Sequence, residues 1–372
     1  MRVLVTGGAG FIGSHLVDAL VREGHQVRVL DNLEPQVHEG RQPAYLHPDA
    51  EYRWGDLRDR QAVRKALEGV KVVFHEAAAV GVGQSMYQIE KYVSANVLGT
   101  AVLLDVIVTE RVSIHKLVVA SSMSLYGEGH YRCEACGPMV IALRPAEQLA
   151  ARQWEPRCPR CRAAVVPQPT PEDKPLVPTS VYAVSKRDQE ELCLTVGAAH
   201  QIPMVALRYF NVYGSRQALS NPYTGVCAIF SARIKHAKAP LLFEDGRQAR
   251  DFTHVRDIVH ANLLVMREAR ADGRVFNVAT GLPTSILDIA RALIRCYGAA
   301  VEPQVTQQFR AGDIRHCYAD IRRLRELGFS PSVRLDDGLR ELVAWGRQER
   351  ADDRVELATR ELTKFGLVRG HG

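Results

Sequence analysis

The stretch Val3-Leu4-Val5-Thr6-Gly7-Gly8-Ala9-Gly10-Phe11-Ile12-Gly13 decides the fold. Val3 to Val5 is a short apolar run of the kind buried on both faces of a parallel sheet. The glycines after it permit a tight reversal, close approach of a pyrophosphate to the backbone, and contact between strand and helix. From His15 onward, Leu16, Ala19 and Leu20 keep helical spacing. The N-terminus of such a helix offers free amides to phosphate oxygens. A glycine turn alone is a weak signal, but here a second strand over 26–30 ends on Asp31, eighteen residues after Gly13. A carboxylate there accepts both hydroxyls of an adenosine ribose and repels a 2′-phosphate, so the pattern predicts NAD rather than NADP.

Working outward, the pattern predicts a strand near Tyr52, a helix over 60–69, a strand over 72–75, a long helix over 88–111 and a strand over 117–120. This alternation predicts an α/β fold, a doubly wound parallel sheet whose ligands lie beyond the carboxyl ends of the strands. Asp56-Leu57 and Ala77-Ala78-Ala79 stand at such ends. After Leu207 the pattern turns to shorter mixed elements around 221–231, 243–246 and 285–297. We therefore expect a dinucleotide-binding domain over 1–204 and a smaller, mainly substrate-binding α/β domain over 205–372, ending in a charged, helical segment with a loosely held tail.

Composition narrows the function classes. The chain has 372 residues, 46% hydrophobic and 24% charged, which excludes disordered and collagen-like classes. Its 48 basic and 42 acidic residues are spread along the chain, which suits an anionic small ligand better than nucleic acid. The apolar opening is too short for a secretory signal. The longest uncharged stretches, such as 92–104, fall short of the roughly 18 apolar residues that crossing a membrane requires. A cytoplasmic location follows as the expectation, and there the eight cysteines read as metal ligands or packing residues.

The strand over 117–120 runs into Ser121-Ser122-Met123-Ser124, and Tyr182-Ala183-Val184-Ser185-Lys186 lies on a helix expected to begin after Ser180. Four-residue spacing puts Tyr182 and Lys186 on one helical face, where an ammonium can lower the phenol's pKa. A tyrosine tuned in this way is a general base near neutral pH.

On these residues the chain resembles the extended short-chain dehydrogenase/reductases, and within them the nucleotide-sugar epimerases and dehydratases. The resemblance covers nearly the whole chain: TGGAGFIG at 6–13, LDNL at 30–33, VGQS at 82–85, YAVSK at 182–186, LRYFNVYG at 207–214, RDFTHVRD at 250–257 and RAGDIR at 310–315. It implies that Ser122 holds a sugar hydroxyl, that Tyr182 takes its proton, and that Lys186 also binds the nicotinamide ribose. It implies an NAD site built from Gly7, Gly10, Phe11, Ile12, Gly13, Asp31, Asn32, Asp56, Leu57, Ala77, Ala78, Ala79 and Asn96, with Tyr182 and Lys186. Asn211, Arg250 and Arg310 would face the substrate's pyrophosphate and Ser124 the sugar; Cys317 would line the sugar pocket or be a buried cysteine without substrate contact. The resemblance further implies a return of the chain to the main sheet near 275–278 and a homodimer formed through the helices over 88–111 and 181–200.

One departure is informative. In the dTDP-glucose 4,6-dehydratases, an Asp-Glu pair follows the active-site hydroxyl, whereas Met123 and Ser124 stand there in this chain. Removal of water then lacks its acid and base. Oxidation at carbon 4 and return of the hydrogen to the opposite face needs neither, so 4-epimerisation is the expected reaction, with NAD regenerated in each cycle.

Sixty positions separate Ser122 from Tyr182, and this interval carries Cys133-x-x-Cys136 and Cys158-x-x-Cys161, with 21 residues between the pairs. Two such knuckles predict a closed four-thiolate zinc site, structural because no coordination position stays open. The surrounding 131–169 is poor in large apolar residues, so metal would supply stability that packing does not. This insert makes the chain similar to dTDP-L-rhamnose 4-epimerases, which would interconvert that sugar and dTDP-6-deoxy-L-talose. A UDP-hexose or UDP-N-acetylhexosamine 4-epimerase and a reductase of 4-keto sugars are the enzymatic alternatives. An NAD-responsive nucleic-acid-binding protein, gripping through the insert's Trp154 and its six arginines against three glutamates, is the alternative from another class.

Overall fold

The computed structural model describes residues 1–369. Seven parallel strands form the main sheet: β1 (Arg2–Thr6), β2 (Gln26–Asp31), β3 (Glu51–Trp54), β4 (Val72–His75), β5 (Lys116–Ser122), β6 (Met204–Tyr209) and β7 (Val275–Val278). Their spatial order is β7-β6-β5-β4-β1-β2-β3, the doubly wound arrangement whose switch point lies between β1 and β4. Successive side chains of β1 serve opposite layers. Val3 and Val5 pack with Leu16 and Leu20 of helix Phe11–Arg22 and with Ile258 and Val265 of helix Val255–Arg267. Leu4 packs with Leu103 and Ile107 on the other face. That double burial explains the unbroken apolar run in the sequence.

The expected domain boundary at 204 falls at the start of β6, which pairs with β5 from Leu117↔Met204 to Ser122↔Tyr209. The main sheet therefore recruits β6, helix Val255–Arg267 and β7 from the second half of the chain. Four other second-half strands, Asn211–Tyr213, Ala249–His254, Pro283–Ser285 and His316–Cys317, form a smaller mixed sheet. Helices Val226–Lys235, Ile286–Tyr297 and Leu335–Gln348 close an apolar cluster that includes Phe230, Phe252, Leu293 and Leu339.

Two expectations need correction. The helix Ile89–Thr109 runs for 21 residues with a mean hydropathy of 1.6 in its most apolar window, long and apolar enough to cross a membrane. The helix itself was expected over 88–111; only its apolar span was undercounted, because Lys91 and Asp105 bound the uncharged stretch 92–104. Its inner face, with Tyr92, Leu103, Val106 and Ile107, is buried in the protein core against helix Val181–His200, which makes it a core helix. The tail expected to be loosely held is also tied down as far as it is described. Helix Val355–Lys364 follows Leu335–Gln348, and strand Val368–Arg369 then pairs antiparallel with Phe309–Arg310. The last three residues of that tail lie outside the described residues.

Between β5 and helix Val181–His200 the insert folds as a three-stranded antiparallel sheet, with His130–Cys133 between Gly137–Val140 and Val166–Gln168. Its own core is small: Tyr131, Cys133, Ile141, Cys158 and Val165 are the buried members.

Candidate active site

The glycine turn shows which positions tolerate no side chain. Gly7 has φ +69°, and a β-carbon there would meet Ala77 at 2.8 Å. At Gly13 a β-carbon would meet the Gly7 carbonyl oxygen at 2.2 Å, so this glycine sets how closely helix Phe11–Arg22 seats on the turn. Gly10 differs: a β-carbon would meet only the Gly7 carbonyl oxygen, at 3.2 Å. Its open side lines a cavity of about 730 Å³ that runs over the carboxyl ends of the strands. Asp31, at the end of β2, lines the same cavity, and its carboxylate accepts from the Ala9 N–H (3.0 Å) and the Leu33 N–H (2.8 Å). It thus braces the glycine turn besides presenting a carboxylate edge.

Asn32 donates to Asp56 at 3.0 Å, and the Arg58 guanidinium beside Asp56 holds that carboxyl well below its usual range. Leu57, Ala77, Ala78 and Ala79 line the cavity floor with Phe11 and Ile12. Asn96 stands behind this wall: its amide both accepts from the Ala79 N–H (2.7 Å) and donates to the Ala79 carbonyl (3.1 Å), and it reaches Ser185 at 2.9 Å. The π-turn Val93–Leu98 within the long helix aims it there. An exposed-backbone glycine turn at a helix N-terminus, with a carboxylate at the end of the next strand, fits a dinucleotide.

Further along the cavity, β5 ends at Ser122 and helix Val181–His200 begins with the Ser180 hydroxyl capping the Ala183 N–H. Ser85 of VGQS accepts from the Tyr182 N–H at 3.0 Å, so a second loop fixes the start of that helix. Ser122, Tyr182 and Lys186 all line the cavity. The Ser122 hydroxyl oxygen accepts from the Ser124 N–H (3.1 Å) and hydroxyl (2.9 Å). Burial raises the Tyr182 phenol above its usual value, while a hydrogen bond with Ser122 acts the other way. The Lys186 ammonium donates to Gln189 at 2.8 Å, and burial pulls it down to about 8. The expected lowering of the phenol by the ammonium is therefore not present in this arrangement, because Lys186 is turned onto Gln189.

The outer half of the cavity is lined by Asn211, Arg250 and Arg310. Asn211 Oδ1 is buried with no hydrogen-bond partner among the described residues, a group that only a ligand or water can satisfy. Cys317 lies elsewhere. It is buried, packs with Tyr126, Phe210 and Ala279, and is absent from the cavity wall, which matches the buried-cysteine alternative. In the insert, the sulfur atoms of Cys133, Cys136, Cys158 and Cys161 all lie within 4.8 Å of one another. The N–H groups of Cys161 and Arg160 pull the Cys158 thiol down to about 6. Tetrahedral zinc–sulfur bonds of about 2.3 Å place sulfurs just under 4 Å apart, so the donor set suits zinc.

The family model described as "NAD dependent epimerase/dehydratase family" matches residues 3–147 and 162–279. The chain belongs to this family. The break in the match, 148–161, falls inside the insert and takes in its second cysteine pair, Cys158 and Cys161. A dTDP-L-rhamnose 4-epimerase of Burkholderia thailandensis is 36% identical over 353 residues, 94% of this chain and 95% of the relative. Among solved structures, the UDP-glucose 4-epimerase of Thermotoga maritima with UDP-glucose superimposes with a TM-score of 0.77 at 29% identity, covering 94% of this chain and 99% of that one. The UDP-glucuronic acid 4-epimerase of Bacillus cereus, in complex with UDP-glucuronic acid and NAD, gives 0.77 at 27% identity with the same coverage.

Three contributors to this family member's site escaped the sequence reading. Glu76 lines the cavity just past β4, accepts from the Tyr209 hydroxyl at 2.8 Å and is pushed up to about 7 by burial. Arg233, on helix Val226–Lys235, lines the outer half. Val355, Thr359 and Leu362 reach the cavity from the C-terminal helix, which Glu361 anchors by accepting from Tyr87 (2.8 Å) and Tyr223 (2.5 Å). An arginine within an apolar helix was a readable signal for Arg233; Glu76 and the C-terminal helix carried none.

Proposed function

We propose that this chain is an NAD-dependent isomerase that inverts carbon 4 of a nucleotide-diphosphate sugar through a transient 4-keto sugar, with dTDP-L-rhamnose and dTDP-6-deoxy-L-talose as the pair interconverted. The observation that carries the reading is Ser122 and Tyr182 together on one cavity wall, with Met123 and Ser124 where a dehydratase needs two carboxylates. The 36% identity to a dTDP-L-rhamnose 4-epimerase supports the choice of sugar.

In this reading Asn211, Arg250 and Arg310 hold the pyrophosphate and leave the sugar against β5. Ser122 Oγ receives the carbon-4 hydroxyl, with Ser124 as its hydrogen-bonded neighbour. Tyr182 Oη removes the hydroxyl proton as the carbonyl forms and returns it as the carbonyl is reduced, so one group serves both directions. NAD, held over Gly7 to Gly13 with its ribose near Asp31, supplies the acceptor and then the donor of the hydrogen at carbon 4. Lys186 binds the nicotinamide ribose, a turn of its side chain away from Gln189. The sugar must present its other face between the two halves of the cycle, by rotation about the pyrophosphate.

The four cysteines of the insert hold one structural zinc, a homodimer forms through helices Ile89–Thr109 and Val181–His200, and the free thiols fit a reducing cytoplasm. Incubation of the purified protein with a panel of dTDP- and UDP-sugars, followed by proton NMR, tests the reading. The expected product is the 4-epimer of dTDP-L-rhamnose without consumption of added cofactor. Net consumption of NADH would identify a reductase, and turnover of UDP-sugars alone would change the substrate.

A further inference from the structure

We infer that the cysteine-bearing insert positions Arg250 for the substrate's pyrophosphate through an ion network centred on the buried Arg315 and Glu244, which makes Arg144 and Glu155 positioning residues for nucleotide-sugar binding. This rests on the reading of Arg250 as a pyrophosphate ligand. The Arg250 guanidinium lines the cavity, but its hydrogen bonds go to main-chain carbonyls: Nη1 to Ala249 (2.9 Å) and Arg315 (2.8 Å), Nη2 to Ile314 (2.7 Å). A cation held by the carbonyls of a neighbouring segment takes its position from that segment.

The segment, in turn, is fixed from the side away from the cavity. The Arg315 N–H donates to both carboxylate oxygens of Glu128, at 2.8 and 2.9 Å. Its guanidinium, wholly buried, pairs with Glu155 (2.6 Å), Glu244 (2.9 Å) and Asp245 (2.6 Å). Glu244 is gripped from the insert by Arg144, bidentate at 2.8 and 2.9 Å, and Arg144 also donates to the Asp313 carbonyl at 3.1 Å. Glu155 completes the ring by accepting from the His316 ring at 3.0 Å, and the other nitrogen of that ring accepts from the Ala249 N–H, next to Arg250.

Arg144 and Glu155 both belong to the insert, and each closes a contact to the segment that carries Arg310 and cradles Arg250. The buried charges Arg144, Glu244 and Arg315 are stiff when joined in this way, because displacing one strands the others, and Glu155 closes the network from its exposed edge. Their effect on substrate should appear in affinity for the pyrophosphate and not in the proton step at Tyr182.

The test uses the full-length protein with its bound NAD and calorimetric titration with thymidine diphosphate and uridine diphosphate. Glu155→Gln keeps the shape of an exposed side chain, and Arg144→Met removes the bidentate grip. Each is expected to weaken nucleoside diphosphate binding about ten-fold with NAD content unchanged, and to add less than about two-fold in an Arg250→Ala background, since a residue acting through Arg250 has nothing left to position. Should Arg144→Met fail to fold, Glu155→Gln decides alone. Wild-type affinity in Glu155→Gln, or the same loss with and without Arg250, would overturn the positioning role while leaving the functional reading intact. Unchanged nucleoside diphosphate affinity in Arg250→Ala would overturn both.

Discussion

Tyr182 is the residue on which the proposed chemistry depends most directly. Its ring is buried against Tyr92 and its N–H is fixed by Ser85, so removing the hydroxyl leaves the packing in place. Tyr182→Phe is expected to lower kcat by at least about a thousand-fold while NAD stays bound and melting is unaltered. Near-normal turnover measured by NMR would end the mechanism. Glu76 makes a different prediction. Its folded pKa of about 7 stands above the ordinary 4.5, so the folded protein holds this proton more tightly than the unfolded chain does. Stability contributed by the protonated form is therefore complete below about pH 4.5 and is lost as pH rises toward 7. Glu76→Gln keeps an acceptor for Tyr209 and should flatten that decline, leaving the variant about 1 kcal/mol more stable than the wild type at pH 8. Parallel melting curves of the two proteins across this window would show the prediction wrong.

At the scale of elements, the insert is the part whose stability packing explains least, with only a few buried residues of its own. Cys133→Ser is expected to abolish zinc binding, measured as about one equivalent per chain in the wild type, and to lower the melting temperature. Retention of NAD by that variant would place the loss in the insert and not in the sheet. Less than half an equivalent of metal in the purified wild type would count against the site. The elements differ in how openly the sequence announced them. The glycine turn was legible because Gly7 and Gly13 answer to backbone contacts that no other residue satisfies. The Tyr182 and Lys186 pair was legible from one helical turn. The long helix was legible over 88–111, within two residues of Ile89–Thr109, but its π-turn Val93–Leu98 was not, because it answers to the tertiary contact of Asn96 with Ala79 and Ser185. Likewise the C-terminal helix reads as a charged surface element, and only its docking on Tyr87 and Tyr223 reveals Leu362 in the cavity wall.

At the scale of the whole molecule, the two long helices leave an apolar surface that the single chain does not cover. Ile89, Val93 and Leu98 on helix Ile89–Thr109 are about half exposed, as is Val184 on helix Val181–His200. The two helices pack side by side, and Tyr182 and Lys186 line the cavity. A second copy related by a two-fold axis would bury the same patch on both chains and form a four-helix interface. The expected outcome is a dimer by light scattering at micromolar concentration. Leu98→Arg combined with Val184→Arg places four cations in the centre of that interface and should give a monomer. Since the patch lies on the outer face of the helix whose inner face carries Tyr182, the monomer should retain NAD but melt at lower temperature and turn over more slowly. A wild-type monomer, or a double variant still dimeric, would show that these helices are not the interface.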